Sequence, residues 1–505
     1  MGRGNLSFRR RTSAKQRLVR WTLTVILLAS GAFAFSRLMP QTVLGQVLDA
    51  STNMPVEGAI ISFRQNAILA DSFGAFSVAA ARIGDRVEAT APGYLKQKFS
   101  IENSSLLLYL QPRVITGAIT DKETGTTIHG ATVSAISSFS RSDNGRFNLT
   151  HVPEEATLTV TAAGYKRAEL QLAPDQDSLE VSLEPIMAKA IYVNFYAMQD
   201  QAAMDSLTEF VNETVANAMV LDIKSDYGLI AEGIDAPQAA NIGAVYNLVD
   251  DFPGFIRQLK HDDIYLIARL VTFKDDLFAT ARPDLALKIA GTNVPFRDCE
   301  RLQWLDPFQK ESWDYNIEIA VGAAKLGFDE IQFDYVRFPS DCLRGNLAYQ
   351  DDTVEGRAGA IAGFLAEAQR RLKPLGVATS ADIFGWITMK EDDLGIGQRL
   401  EDMAANVDYI APMVYPSTWG AGSLGIAYPP GQPYDIVYSS LANAAKRLQK
   451  VPGARIRAWL QDFDDYQRRN LKYGPAELEA QIKAAEDAGS KGWMLWDPFM
   501  SYNID

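Results

Sequence analysis

Residues 327–339 read GFDEIQFDYVRFP. A glycine opens the stretch, a proline closes it, and β-branched and aromatic side chains fill most of the space between. That is the pattern of a buried strand. Seven more stretches of this kind lie on either side of it: AIYVNFY (190–196), AMVLDIKS (218–225), IYLIARLVTF (264–273), GVATSADIF (376–384), YIAPMVYP (409–416), RIRAWLQDF (455–463) and GWMLWDP (492–498). With 329–338 they make eight strands. The segments between them are amphipathic at helical spacing, as in VEGRAGAIAGFLAEAQRRLKPLG and PAELEAQIKAAEDAG.

Strands alternating with helices predict parallel pairing. Eight such units over residues 186–505 fit a (β/α)8 TIM barrel with some long loops. A doubly wound open sheet is the alternative, but no glycine-rich phosphate loop follows any strand.

In such a barrel the chemistry sits at the carboxyl ends of the strands. Those ends carry Asp222, Arg269, Asp334, Arg337, Asp382, Tyr415, Gln461, Asp462 and Trp496. The three histidines (His129, His151 and His261) all lie elsewhere. A histidine-based triad and a histidine-rich zinc site are therefore disfavoured, and no metal or cofactor is expected. The available acid–base groups are carboxylates, and paired carboxylates are what glycosidic cleavage needs. Trp304, Trp386, Trp419, Trp459 and Trp496 lie on or just beyond strand ends, where indole faces suit the apolar faces of sugar rings.

The 327–339 segment resembles the fourth strand of family 18 chitinases at Gly327-Phe328-Asp329, Asp334 and Pro339. Met413, Tyr415 and Trp496 echo the same family. The position of the chitinase acid is Val336 here, and that of the middle aspartate is Gln332, so substrate-assisted chemistry is not expected. Asp334, Asp382 and Asp462 occupy places similar to those of the acidic residues in alpha-amylase-like barrels. Over nearly the whole barrel, DYVRFP, SADIFGW and APMVYPS resemble a bacterial family of glycosyl-hydrolase-type barrels. That resemblance implies a glycosidase-type barrel; among its strand-end carboxylates, Asp334 and Asp382 are the candidate catalytic pair. Asp222, Arg269, Trp304, Arg337, Trp386, Tyr415, Trp459, Gln461, Asp462 and Trp496 would bind substrate. Strand alternation, carried on through residue 338, puts Gln332 and Val336 on the face of Asp334 and sends Tyr335 and Arg337 away from it. Arg337 could still hold Asp334 ionised through its charge.

Upstream of the barrel the chain repeats itself. VLGQVLDASTNMPVEGAIISF, DSFGAFSV and APGYLKQKF are followed 71–72 residues later by VITGAITDKETGTTIHGATVSA, SDNGRFNL and AAGYKRAEL. Short alternating runs separated by Gly, Asp and Asn turns predict a small antiparallel sandwich for each copy. The shared elements resemble carboxypeptidase regulatory-like domains, which implies transthyretin-like sandwiches at 41–112 and 113–185 serving as spacers or binding modules.

Residues 1–20 hold seven basic side chains and no acid, and Trp21–Ser36 carries no charge before Arg37. A basic cytoplasmic tail (1–20) and a transmembrane signal anchor or cleaved signal peptide (21–38) are expected. Both place the remainder outside the cytoplasm, tethered to the cell membrane or secreted. Net charge is −13, which disfavours a nucleic-acid partner. The two cysteines, Cys299 and Cys342, fall in neighbouring βα loops, and an exported protein can join such a pair as a disulfide.

The expectation is an extracytoplasmic hydrolase cleaving a polysaccharide or cell-envelope glycan. The alternative is a non-catalytic glycan-binding or scaffold protein built on a degenerate hydrolase barrel.

Overall fold

The structure, a computed structural model, describes residues 39–504 except 137, 341–346, 452, 454 and 467–470. The expected tail and anchor lie outside the described residues, as does Cys342. Among the described residues, no helix is long and apolar enough to cross a membrane.

The first repeat copy forms two sheets. Ala75–Ala81, Gln41–Asp49 and Ser105–Leu110 make one; Asn66–Leu69, Ile60–Phe63, Arg86–Thr90 and Gln97–Ser100 make the other. Val43, Val47, Phe76 and Leu108 from the first sheet share one buried core with Ile61, Phe63, Val87 and Ala89 from the second. The second copy repeats the same strand order, with Arg146–Thr150, Val114–Asp121 and Ser178–Leu183 beside Ser138–Arg141, Thr132–Ala135, Thr157–Thr161 and Ala168–Gln171.

One motif is explained by close approach. A Cβ on Gly45 would fall 2.1 Å from the Phe76 ring, and one on Gly117 would fall 2.6 Å from the Phe147 ring. The glycine of the first strand and the phenylalanine two residues after the turn glycine (Gly74 and Gly145) therefore belong together in both copies. The expectation of purely antiparallel sheets needs correction, because the first and last strands of each copy run parallel. The last strand returns to its sheet from the opposite one, and so enters in the direction of the first.

Contacts divide the chain into two compact units. One holds the first copy through Ile115 with Leu149–Ala156 and Leu172–Asp177; the other holds Thr116–Asn148, Thr157–Gln171 and Ser178–Asp505.

Within the second unit, eight parallel strands close into a barrel. They are β1 (Lys189–Val193), β2 (Ala218–Lys224), β3 (Tyr265–Val271), β4 (Glu330–Asp334), β5 (Ala378–Phe384), β6 (Tyr409–Met413), β7 (Ala458–Gln461) and β8 (Trp493–Trp496). Each pairs with its neighbour in chain order, and β1 closes the ring by pairing with both β2 and β8. Every residue of β2, β3 and β4 is buried, as expected for strands covered on one face by helices and on the other by the barrel interior.

β4 is shorter than its sequence suggests. It stops at Asp334 because Tyr335 takes a left-handed backbone conformation, with φ at 48°. The Asp334 carboxylate accepts the Tyr335 N–H at 2.6 Å and fixes the turn.

Candidate active site

At the carboxyl ends of the strands, charge is organised around one guanidinium. The β2–β3 register sets Asp222 opposite Arg269. Arg269 Nη1 donates to Asp222 Oδ1 at 2.5 Å, while Nη2 and Nε donate to Asp334 Oδ2 at 2.5 and 3.1 Å. The Tyr192 hydroxyl on β1 donates to the other oxygen of Asp222 at 2.5 Å. The Tyr192 ring stacks on Trp496 with centroids 4.0 Å apart, and Arg269 lies over both rings. Burial raises the Asp222 pKa, and the adjacent guanidinium opposes that rise. Burial alone would lower the pKa of Arg269, but the two carboxylates overcome it and hold the guanidinium firmly charged.

Asp382 stands on the neighbouring strand. β4 and β5 pair Phe333 with Ala381, so Asp334 and Asp382 follow at adjacent places. Asp382 is 1% exposed. The Trp459 indole donates to its Oδ1 at 2.8 Å, and its Oδ2 has no partner among the described residues. Burial pushes its pKa well up, and the negative charge of Asp334 pushes it further. Two carboxyl groups side by side thus sit in opposite surroundings, one ion-paired and one desolvated. A carboxyl perturbed as Asp382 is, next to a cavity, is a candidate acid–base group.

A cavity of about 200 Å³ opens over this centre, walled by Arg269, Asp334, Tyr335, Arg337, Phe384, Met413, Tyr415, Trp459 and Trp496. Two further hollows adjoin it. One of about 370 Å³ is lined by Lys274, Asp298, Glu300, Trp304, Tyr335 and Arg337 among others. The other, about 410 Å³, includes Tyr192, Asn194, Tyr196, Asp222, Asp226, Tyr335 and Trp496. Tyr335 borders all three, so the left-handed turn after β4 places one ring on the wall of each hollow. Two more cavities in this unit are lined by residues at the amino ends of the strands, among them Tyr265, Asp329 and Ala378. Active sites of such barrels are not found at that end.

The structure gathers some of the expected residues and disperses others. Asp334, Arg269, Arg337, Tyr415, Trp459 and Trp496 line the central cavity, whereas Asp222 and Trp304 face the adjoining hollows. Asp382 is buried and does not line any of them. Trp386 packs on the fully buried Trp419, with centroids 4.3 Å apart, and is absent from the cavity wall. Gln461 is taken up by Ser417 and the Phe463 carbonyl.

Arg269, not Arg337, is the cation bonded to Asp334; Arg337 lies over Trp304, Tyr335 and Phe384 and bonds the Phe338 carbonyl and Ser340. Alternation beyond Asp334 also fails, since Tyr335 and Arg337 both reach the cavity. Tyr192, Tyr335 and Phe384 line the site without being candidates in the sequence, and Met413, a chitinase-like position there, joins them on the cavity wall. Of these, Tyr192 had a signal: a phenol in an otherwise apolar buried strand needs a partner. Cys299 is disulfide-bonded. Among the described residues, no cluster of His, Cys, Asp and Glu is arranged to hold a metal ion.

Asp462 holds the C-terminal segment, accepting the Asn503 N–H at 2.9 Å and its side-chain amide at 2.8 Å. Burial lifts its pKa from 3.8 to about 6 against those bonds. Between these values the folded chain keeps a proton that the unfolded chain has released, so stability falls as pH rises through that window. Asp462→Asn is expected to remove part of the slope of melting temperature against pH between about 4 and 6. An unchanged slope would assign it to other buried acids.

Residues 190–502 match the family described as "Putative glycosyl hydrolase domain" (DUF4015). The chain belongs to this family. Among solved structures, a hypothetical protein from Ruminiclostridium thermocellum is 35% identical over 38% of this chain and 96% of its own, with a TM-score of 0.34. The PgaB (BpsB) glycoside hydrolase domain from Bordetella bronchiseptica is 13% identical over 62% of this chain and 95% of its own, with a TM-score of 0.47. A GH20 exo-β-N-acetylglucosaminidase from Vibrio harveyi, in complex with N-acetylglucosamine, is 11% identical over 90% of each chain, with a TM-score of 0.38. No curated protein matches.

Proposed function

We propose that the barrel is an extracytoplasmic glycoside hydrolase acting on a polysaccharide or cell-envelope glycan. The observation that carries this reading is the pair of carboxyl groups on adjacent strand ends. Asp334 faces an aromatic-walled cavity beside a guanidinium, and Asp382 is buried with one oxygen unpartnered. Asp334 acts at the anomeric centre as nucleophile or base, and Asp382 retains the proton that the leaving oxygen requires. Trp496 and Tyr335 supply ring faces for the sugars, and Arg269 fixes Asp334 for attack.

Turnover on a panel of glycans, compared among wild type, Asp334→Asn and Asp382→Asn, tests the assignment. Both variants are expected to lose activity, and full activity in both would reject it. Since Asp382 works in its protonated form, wild-type turnover is expected to fall on the alkaline side as that carboxyl ionises.

A second reading has one observation in its favour: Asp382 does not reach the cavity wall, so of the carboxyl pair only Asp334 faces the cavity. A glycan-binding barrel without turnover would fit that geometry. Measurable binding with no hydrolysis at any pH would select it.

In the proposed protein, residues 21–38 anchor the chain in the cell membrane. The two sandwiches are carboxypeptidase regulatory-like spacers that lift the barrel away from it. Cys299 pairs with Cys342 and ties together the loops that follow β3 and β4. Peptide mapping of the exported protein without reductant is expected to recover the two cysteines in one linked fragment; free Cys342 thiol would exclude the pairing.

A further inference from the structure

The duplication supplies its own control for reading the surface of the first copy. On the three-stranded sheet of that copy, the side chains at Leu44 and Leu48 point away from the core, as do their neighbours Leu107 and Tyr109. The register sets Leu48 beside Tyr109 and Leu107 beside Gln46. Leu44 is 62% exposed, Leu107 55% and Tyr109 40%. Phe73, 72% exposed, adjoins the same face, because the Gln46 side chain donates to its carbonyl at 2.9 Å.

The second copy has the same strand order and register, and there the matching positions are Thr116, Thr120, Glu180, Ser182 and Asn144. Thr120 and Ser182 hydrogen-bond to each other at 3.2 Å where the first copy has Leu48 and Tyr109. The fold therefore does not require an apolar outer face. None of the outward side chains on the three strands of the first copy carries a charge. An exposed apolar patch of this kind marks an interaction surface.

We propose that this face lies against the lipid bilayer, in the interfacial layer of the leaflet on the exported side. The inference rests on reading residues 21–36 as a retained anchor. Only Arg37–Pro40 separate that uncharged run from the strand starting at Gln41. Four residues span at most about 14 Å, so the first copy cannot leave the membrane surface once the run is inserted. Leucine, phenylalanine and tyrosine without charge suit the boundary between headgroups and acyl chains. The second copy, farther along the chain, has the polar face expected of a module in water.

The test uses the full-length chain reconstituted into phosphatidylethanolamine–phosphatidylglycerol vesicles, with an environment-sensitive thiol probe at Leu107→Cys or, as control, at Ser182→Cys. Cys299 is disulfide-bonded and does not take the probe. Brominated acyl chains are expected to quench the probe at 107 at least about twofold more than the probe at 182. With the probe at Phe73→Cys, giving the first copy the polar residues of the second (Leu44→Thr with Leu107→Glu) is expected to reduce quenching to the level at 182. Release of the chain by alkaline extraction would reject the anchor and this proposal with it. A chain that resists extraction but shows equal quenching at 107 and 182 would leave the anchor standing and overturn the proposal. Disulfide-linked pairs of the Leu107→Cys chain without lipid quenching would assign the face to a second copy, and would also overturn it.

Discussion

Asp334→Asn is expected to lower glycan turnover by about 10²- to 10⁴-fold while the barrel stays folded, the range typical for losing a positioned acid–base group. The substitution is isosteric. Its amide oxygen can still accept one bond from Arg269, and Asp222 continues to hold the other arm of the guanidinium. What disappears is the negative charge facing the cavity, together with one of the bonds the carboxylate accepts, because the amide nitrogen cannot accept from Arg269 or from the Tyr335 N–H. At about 1.4 kcal/mol per decade, the loss amounts to about 3–5 kcal/mol of transition-state stabilisation. A second effect follows from proximity. The Asp334 charge is one cause of the raised pKa of Asp382, so removing it lets Asp382 ionise at lower pH. The residual activity of Asp334→Asn is therefore expected to fall off at lower pH than that of wild type. Steady-state kinetics across pH, with thermal unfolding as the check on folding, measure both effects. Wild-type turnover in the variant would remove Asp334 from the chemistry.

The sequence reveals the barrel because its signal is long and periodic. Eight apolar runs separated by helical stretches leave few other arrangements, and all eight strands occur where such runs lie. Strand ends are harder to read. β4 was expected to reach Phe338, and it stops at Asp334 because Tyr335 adopts a positive φ. Tyrosine carries no mark of that conformation, whereas a glycine would have suggested it. The consequence is functional, since the turn delivers both Tyr335 and Arg337 to the cavity when alternation sends them away.

Polar residues at strand ends are similarly ambiguous in sequence. Gln461 and Asp462 stand beside each other at the end of β7, yet both are consumed by structural bonds, one to Ser417 and the other to Asn503. Asp222 and Arg269 look no different on paper, but register sets them opposite one another and next to Asp334. Which carboxylate meets which cation is decided by pairing across strands, and no spacing along the chain encodes it. The tryptophans make the same point. Trp496 lines the cavity while Trp386 packs on Trp419, although each lies near a strand end.

The largest effect on stability is expected at the other end of the barrel. Glu330 opens β4 and Arg457 precedes β7, and both are fully buried. They form an ion pair, the Tyr265 hydroxyl donates to Glu330 at 3.1 Å, and the Arg457 guanidinium lies 4.3 Å over the Tyr409 ring. Burial disfavours the Arg457 charge, but Glu330, with Tyr409 and Tyr265 beside it, outweighs that and raises its pKa. The pair contributes little net stability while intact, because desolvation cancels much of the attraction. Breaking it is another matter. Arg457→Met leaves Glu330 without a counter-ion in a dry core and is expected to cost about 3–5 kcal/mol. Glu330→Leu combined with Arg457→Met removes both charges and is expected to recover most of that loss. Urea unfolding of the single and double variants measures the difference. A single variant as stable as wild type would mean that water or another cation reaches Glu330. Because this pair sits at the amino ends of the strands and Asp334 at the carboxyl ends, the double variant should retain wild-type turnover per folded molecule, separating what closes the barrel from what works in its mouth.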